Sequence, residues 1–284
     1  MDQNNSSNAG SLVKPTEGIV TLADANYYPG LETLYVSIQE SYPVPVTCYD
    51  IGLSADQIRH AKENYANLKI VEVQSDLIIS NIKRAFESAS PLGKVGKRVW
   101  PLWICPFLIA KSPYQRVFWL DTDLVVLRGL QEFFSMLEVG PVFTAENNAP
   151  DKTQNNPELY NFLPIGRSFD PTKVAVNAGV SGWDLVRDRH LLEDYIKPVL
   201  AAIENISVRD AISWHDQGAL IWAIHNCGLE GRILADTKWN LCIRNSLAFG
   251  KKYDWQPSVL PTLRTDEPDA CLLHWNGFPV PWTN

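Results

Sequence analysis

The sequence has no hydrophobic run long enough to cross a membrane. Its longest uncharged apolar stretch lies between Arg98 and Lys111, 12 residues with two prolines, where a spanning helix needs roughly 18. No two cysteines stand as Cys-x-x-Cys. The five present (Cys48, Cys105, Cys227, Cys242 and Cys271) are odd in number and widely spread, and read as buried free thiols of a reducing compartment. Positive charge is in the minority, with 25 Lys and Arg against 32 Asp and Glu and a formal net charge of −7. That balance argues against a general nucleic-acid binder, while a local basic cleft facing a phosphate stays compatible with it. There is no internal repeat, no linker, and no low-complexity segment beyond a polar, Asn- and Ser-rich start. That start does not read as a secretory signal, so the sequons at Asn5 and Asn205 carry little weight and the expected location is cytoplasmic, with peripheral membrane association left open.

What is there is globular. The 284 residues are 45% hydrophobic and 20% charged, enough chain to bury a large core without a disulfide or a structural metal. Residues 1–15 are expected to be a disordered tail and residues 16–284 one domain. Ten Trp stand beside ten Tyr and ten Phe. Most are expected in the core, although aromatic faces also suit flat bases and sugar rings.

Strand and helix alternate along the first half. Gly18–Leu22, Val44–Tyr49 and Ile70–Val73 read as short buried strands. Leu31–Glu40 has helical spacing, and Ser54-Ala-Asp-Gln57 is a capping-box start for a helix to about Asn67. These are βαβ lengths, so the expected architecture is α/β, a mostly parallel sheet with helices on both faces. A Trp-rich helix follows, then the strand Arg116–Leu120. A polar loop over 147–173, a strand at Val180–Trp183, and helices at Leu191–Asn205 and Asp216–His225 complete the reading.

The strand Val117-Phe-Trp-Leu120 is apolar enough to be central, and its end delivers Asp121 and Asp123 to the crevice where open α/β sheets bind ligands. Two carboxylates at that spacing can share a hard divalent cation, which in turn neutralises a diphosphate. Solvation of the strand end, or a helix cap, is the plainer alternative.

Five blocks in order resemble glycosyltransferase family 8, the glycogenin and bacterial galactosyltransferase relatives, over residues 18–282. They are Ala23-Asp24-Ala-Asn26-Tyr27, Phe118-Trp-Leu-Asp121-Thr122-Asp123, Asn177-Ala-Gly-Val180, Asp216-Gln217-Gly218, and His274-Trp-Asn-Gly277 with Pro281-Trp282. The resemblance implies a GT-A fold with a Rossmann-like sheet, and a retaining hexosyl- or pentosyltransferase that uses a nucleotide-sugar, first of all a UDP-sugar. It implies Asp121, Asp123 and His274 as ligands of Mn²⁺, with Mg²⁺ an alternative. It implies Asp24, Asn26 and Tyr27 at the uridine, Thr122, Asn177 and Gly277 along the donor, and Asp216 and Gln217 beside the anomeric carbon.

The residue chemistry is compatible at each point. Asp24 can accept the uracil N3–H, Asn26 can bond ribose, and Tyr27 can stack on the base or simply pack at its strand end. His274 follows the apolar Cys271-Leu-Leu273, where a histidine is a satisfied structural residue or, beside two carboxylates, a nitrogen ligand favouring Mn²⁺. Asn177 also suits a turn before Gly179, Asp216 suits a helix N-cap, and Trp239-Asn240 reads as structural.

Two places depart from the family pattern. Val280 stands where a lysine commonly precedes Pro-Trp, and Trp100–Ile109 has no base ahead of the metal strand. Lys94, Lys97, Arg98 or Lys251-Lys252 are the cations available to compensate. The acceptor is a glycan, glycolipid or protein. Two other functions use the same residues: a non-catalytic nucleotide-sugar or glycan-binding module, and a haloacid-dehalogenase-type phosphatase, whose Asp-x-Asp-x-Val pattern Asp121–Val125 also fits.

Overall fold

The computed structural model describes residues 16–73, 75–87, 100–145, 158–168, 176–212, 214–243, 256–275 and 282. Strands β1 (Glu17–Ala23), β2 (Val46–Asp50) and β3 (Leu68–Glu72) alternate with helices α1 (Tyr28–Ser41) and α2 (Ala55–Asn64). Then come α3 (Leu77–Glu87), α4 (Cys105–Ala110), β4 (Arg116–Leu120), β5 (Leu124–Val126), α5 (Leu130–Met136) and β6 (Val142–Ala145). The second half adds α6 (Leu159–Phe162), β7 (Val176–Asp184), α7 (Arg189–Glu204), α8 (Ile206–Ala211), α9 (Asp216–Cys227), β8 (Ile233–Leu234), β9 (Leu241–Cys242), α10 (Leu260–Asp266) and β10 (Leu272–His274).

Seven strands form one sheet in the order β3-β2-β1-β4-β7-β6-β8. The pairs within β3-β2-β1-β4 are parallel, and β7 runs antiparallel to both its neighbours. The mostly parallel α/β sheet expected from the sequence is present, and β7 is its reversed member. A second, three-stranded sheet has the order β5-β10-β9.

Period-two alternation sorts the side chains of β4 onto two faces. Val117 and Trp119 enter one core with Tyr49, Phe143, Trp183 and the helices α4, α7 and α9. Phe118 and Leu120 enter the other with Ile19, Val46, α1 and α5. With both faces covered, β1, β2 and β4 read as near-continuous apolar runs, as parallel strands should. A third, smaller core lies under the second sheet, where Leu260, Leu263 and Leu273 meet.

Local chemistry sets several boundaries. Ser54 and Gln57 form the capping box at the start of α2, but the helix ends at Asn64 rather than about Asn67, because Leu68 already pairs with Val46 in the sheet. Asn177 lies within the extended strand β7, not in a turn. The strand expected at Val180 begins four residues earlier, at Val176. All five cysteines are free; four are buried and Cys227 is half-buried. Among the described residues no helix is long and apolar enough to cross a membrane.

Candidate active site

Five chain segments meet at one edge of the large sheet, around the carboxyl end of β4. Its parallel neighbour β1 ends at Ala23, so Asp24 follows at the same edge as Asp121. Its antiparallel neighbour β7 begins there, with Leu120 opposite Val180 and the Asp121 N–H donating to the Gly179 carbonyl at 2.9 Å. The antiparallel pairing of β10 with β5 sets His274 opposite Leu124, and the Trp275 N–H donates to the Asp123 carbonyl at 2.8 Å. The first residues of α9 close the edge.

These segments enclose a cavity of about 290 Å³ lined by Asp24, Tyr27, Asp121, Thr122, Asp123, Asn177, Asp216, Gln217 and His274. Nine of the eleven site residues expected from the sequence thus share one space. Asn26 is not among the lining residues. It is exposed, its N–H donates to Asp24 Oδ1 at 2.9 Å, and its carbonyl accepts from Trp282 Nε1 at 2.5 Å. Gly277, Val280, Lys94, Lys97, Arg98, Lys251 and Lys252 lie outside the described residues.

One corner of the cavity gathers the ligating atoms of Asp121, Asp123 and His274 within 4.8 Å of one another. His274 Nε2 lies 3.3 Å from Asp123 Oδ1 and 4.0 Å from Asp121 Oδ2. The other ring nitrogen, Nδ1, sits 3.1 Å from Asn240 Oδ1. That oxygen can only accept, so Nδ1 carries the proton and Nε2 faces the carboxylates. The amide orientation of Asn240 is fixed in turn, since its Nδ2 donates to Thr144 Oγ1 at 2.9 Å and to Asn177 Oδ1 at 3.0 Å.

Electrostatics in this corner favour an added cation. Burial, and then the neighbouring Asp123 charge, push the Asp121 carboxyl up to about 6. Burial alone would lower His274, but the Asp123 carboxylate overrides it and raises the ring's affinity for positive charge well above normal. No Lys or Arg is found among the described residues lining the cavity. Space is reserved as well: a Cβ on Gly179 would fall 2.6 Å from both Asp121 Oδ2 and His274 Cε1, so only glycine lets β7 pass this close. A hard divalent ion fits a donor set of two carboxylates and an imidazole nitrogen.

The opposite wall belongs to α9. Asp216 is the helix's first residue and His215 its N-cap, one position earlier than the sequence suggests for Asp216. Asp216 is buried, and its Oδ2 accepts from the Tyr195 hydroxyl at 2.9 Å. Burial, followed by Asp121, pushes its carboxyl up to about 8. Gln217 Oε1 accepts the Ala178 N–H at 3.2 Å. Ahead of this wall the backbone is strained, with Trp214 at φ 58° and His215 at φ 59°. Non-glycine residues there cost roughly 1–3 kcal/mol each and persist only where surrounding structure holds them.

At the third wall, Asp24 Oδ1 accepts the N–H groups of Asn26 and Tyr27 at 2.9 and 3.1 Å, an Asx turn that shapes its own loop. Tyr27 is half-buried and meets Trp282 edge-on, with ring centroids 5.7 Å apart. Burial, and then Asp123, Asp121 and Asp24, raise its hydroxyl's proton affinity, so it stays a neutral phenol.

Three contributors escape the sequence reading. Trp119 Nε1 donates to Asp121 Oδ1 at 2.8 Å, and the two-residue spacing on a strand was the signal that put both on one face. Tyr195 reaches Asp216 from the middle of α7, with no local pattern to announce it. Asn240, read as structural, is the orienting partner of His274.

No protein-family model matches the sequence, and no curated protein matches it. Solved structures do. The galactosyltransferase LgtC in complex with donor and acceptor sugar analogues is similar over 94% of this chain and 90% of that one, at 17% identity and a TM-score of 0.60. The bifunctional glycosyltransferase WbbM is similar over 96% of this chain and 48% of that one, at 14% identity and a TM-score of 0.56. Core-mannan synthase A from Aspergillus fumigatus, in an Mn/GDP form, covers 76% of this chain and 71% of its own, at 11% identity and a TM-score of 0.51. With its seven-stranded, mostly parallel sheet and a cavity at the ends of β1 and β4, this chain has the GT-A glycosyltransferase fold.

Proposed function

We propose that this protein is a metal-dependent, retaining glycosyltransferase that takes its sugar from a UDP-sugar, and that residues 16–284 form one GT-A unit. The observation that carries the reading is the Asp121–Asp123–His274 corner, its ligating atoms within 4.8 Å of one another at the ligand edge of a GT-A fold. Mn²⁺ held there would act as a Lewis acid on a diphosphate leaving group. The free thiols suit a reducing compartment, and the cytoplasm is the proposed location.

The chain's own groups divide the remaining work. Asp24 accepts the uracil N3–H, Tyr27 offers its ring to the base, and Asn26 and Gly277 flank the ribose and the donor. Thr122, between the two acids, lies along the diphosphate. Asn177 and Asp216 orient sugar hydroxyls, and Gln217 faces the anomeric carbon. Two features favour a front-side path. The Gln217 carbonyl oxygen is engaged by the Ala178 N–H, and an Asp216 carboxyl pushed up to about 8 is largely protonated at neutral pH and a poor nucleophile. The acceptor oxygen then bonds to C1 on the face from which the diphosphate leaves. The C1–O bond to phosphate breaks, and the acceptor's proton passes to the departing phosphate oxygen.

One observation favours a second reading, a non-catalytic nucleotide-sugar-binding module: no Lys or Arg is found among the described lining residues to assist the leaving group. The phosphatase alternative is dropped, because it requires a different fold from the GT-A fold seen here. Incubation with Mn²⁺ and a panel of nucleotide-sugars, following nucleotide release, decides. Slow UDP release from one donor is the expected result. Stabilisation by UDP and Mn²⁺ without turnover, acceptors supplied, would select the binding module, and no UDP binding at all would end both readings.

A further inference from the structure

The abundance of tryptophan is mostly a matter of core packing, with one exception. Seven of the nine described tryptophans are buried and Trp282 is half-buried. Trp214 leaves 65% of its surface exposed while lining the cavity. Single exposed apolar side chains are common on protein surfaces; what distinguishes this one is that a flat indole face stands at a cavity rim, open to a ring-shaped partner.

The backbone makes that presentation deliberate. Trp214 and His215 are the two non-glycine residues with positive φ among those described, in a turn that leads directly into Asp216 and Gln217. The turn is braced twice. The Gln217 N–H donates to the Trp214 carbonyl at 3.2 Å, and the His215 ring packs against Trp103 with centroids 5.7 Å apart. Strain held at a site's edge is a mark of a functional constraint. Around the same rim, Leu102 is 46% exposed and Pro101 joins the lining, while the depth of the cavity is acidic and polar.

We propose that Trp214 is the platform for a carbohydrate acceptor, whose pyranose ring lays its C–H face on the indole and turns a hydroxyl toward Gln217. This rests on the glycosyltransferase reading and narrows its acceptor. The chemistry matches a sugar ring, which has an apolar face of axial C–H groups and a polar edge. One indole, one leucine and one proline form a patch much smaller than the several hundred Å² that mark lipid or protein docking surfaces. His215, Asp216 and Gln217 follow at once to meet the hydroxyls.

Calorimetric titration with methyl glucoside, methyl galactoside, methyl mannoside, methyl xyloside, lactose and maltose, in the presence of UDP and Mn²⁺, tests this on the full chain. At least one should bind the wild type. Trp214→Ala should weaken that binding about tenfold or more, and Trp214→Phe, which keeps a flat ring, by no more than about threefold. Trp214→Gly adopts positive φ without steric cost, so it supplies a ring-free variant on a sound fold if the alanine protein melts early, and should lose the sugar equally. Binding of no saccharide by the wild type, or binding by the alanine and glycine variants as tight as that of the wild type, overturns the proposal. The melting temperature of the wild type with UDP and Mn²⁺ separates the two levels. Without a shift, the underlying glycosyltransferase reading fails too. With a shift, and no dependence on Trp214, the platform alone fails.

Discussion

The strand pair β4–β7 carries a cluster of acids at each end, and the two clusters are treated in opposite ways. At the amino end of β4, Arg116 lies 3.6 Å from both Glu17 and Glu138 and 3.8 Å from Asp184. Next to it Arg187 grips Asp188 with two bonds of 2.7 Å, and Asp188 Oδ2 also accepts the Asp184 N–H at 2.8 Å. The acids at this end are met by guanidinium groups. Just past the other end of the same five-residue strand, Asp121 and Asp123 are met by one imidazole and one indole N–H. Both clusters mix buried and partly exposed acids, with Asp184 and Asp188 buried and Glu138 exposed at one end, Asp123 buried and Asp121 half-buried at the other; the kind of positive partner is what separates them. Buried acids with arginines attached are a way of holding a fold together. Acids that converge on a single titratable imidazole, with no Arg or Lys among the described neighbours, can exchange that ring's proton for a cation from solution.

The largest test of that contrast exchanges acid for amide at each end. Asp121→Asn keeps an oxygen for the Trp119 N–H but removes a proposed metal ligand and a like charge. We expect Mn²⁺-dependent UDP binding to fall at least about 100-fold, some 2.7 kcal/mol, and metal-free melting at pH 8 to stay level or rise. Asp188→Asn should do the reverse, lowering stability by about 2–3 kcal/mol through the weakened Arg187 pair and sparing UDP affinity. Calorimetry and thermal melting of the two variants read both effects. If Asp121→Asn destabilised the metal-free protein as much as Asp188→Asn, the two clusters would not differ in kind.

One side of this contrast, the acid-rich edge, is legible in the sequence. The apolar run Val117–Leu120 announced a central strand, and residues that follow such a strand arrive at the ligand edge of an open α/β sheet. His274 was placed by the same logic, after Cys271-Leu-Leu273. What stayed hidden depends on the packing of segments far apart in sequence. Tyr195 touches Asp216 only because α7 packs across α9. Asn240 meets His274 only because β9 and β10 pair in parallel, with Leu241 opposite Leu273. The balanced cluster was equally obscure, since Arg116 and Asp184 face each other through antiparallel register, not through any motif. The reversal of β7 was missed for a physical reason too: buried on both faces, it reads like any parallel core strand.

Acidity extends the uncompensated region to Asp216, and pH should expose it. Its folded carboxyl is pushed up to about 8, above an unfolded value near 3.9. The folded state therefore binds a proton more tightly, and the stability this confers is fully present below about pH 4 and lost as pH rises through about 8. Asp121 adds a shorter slope that ends near 6. In metal-free buffer, stability should drop by on the order of 4 kcal/mol between pH 5 and pH 8, and Asp216→Asn should flatten most of that slope. Chemical denaturation at the two pH values measures it. A slope unchanged in Asp216→Asn would show that this carboxyl titrates in the fold as it does in the unfolded chain, and would confine the pH-sensitive acids to the Asp121–Asp123–His274 corner.

The smallest effect concerns how the corner is held in shape. Asn240 fixes the His274 tautomer through Nδ1 and ties it to Thr144 and Asn177. A partner that orients a ligating histidine without touching the metal typically contributes 10- to 100-fold to affinity. Because two carboxylates remain, Asn240→Ala should weaken Mn²⁺ binding by about tenfold, as read by the free-ion signal in electron paramagnetic resonance. UDP affinity at saturating Mn²⁺ should recover, since the amide touches His274 and not the proposed nucleotide wall. Unchanged Mn²⁺ affinity would mean that the carboxylates suffice to set the corner. The likeness to the arginine-bound end would then grow stronger, because the acids alone would define each cluster and only the origin of the cation, side chain or solution, would distinguish them.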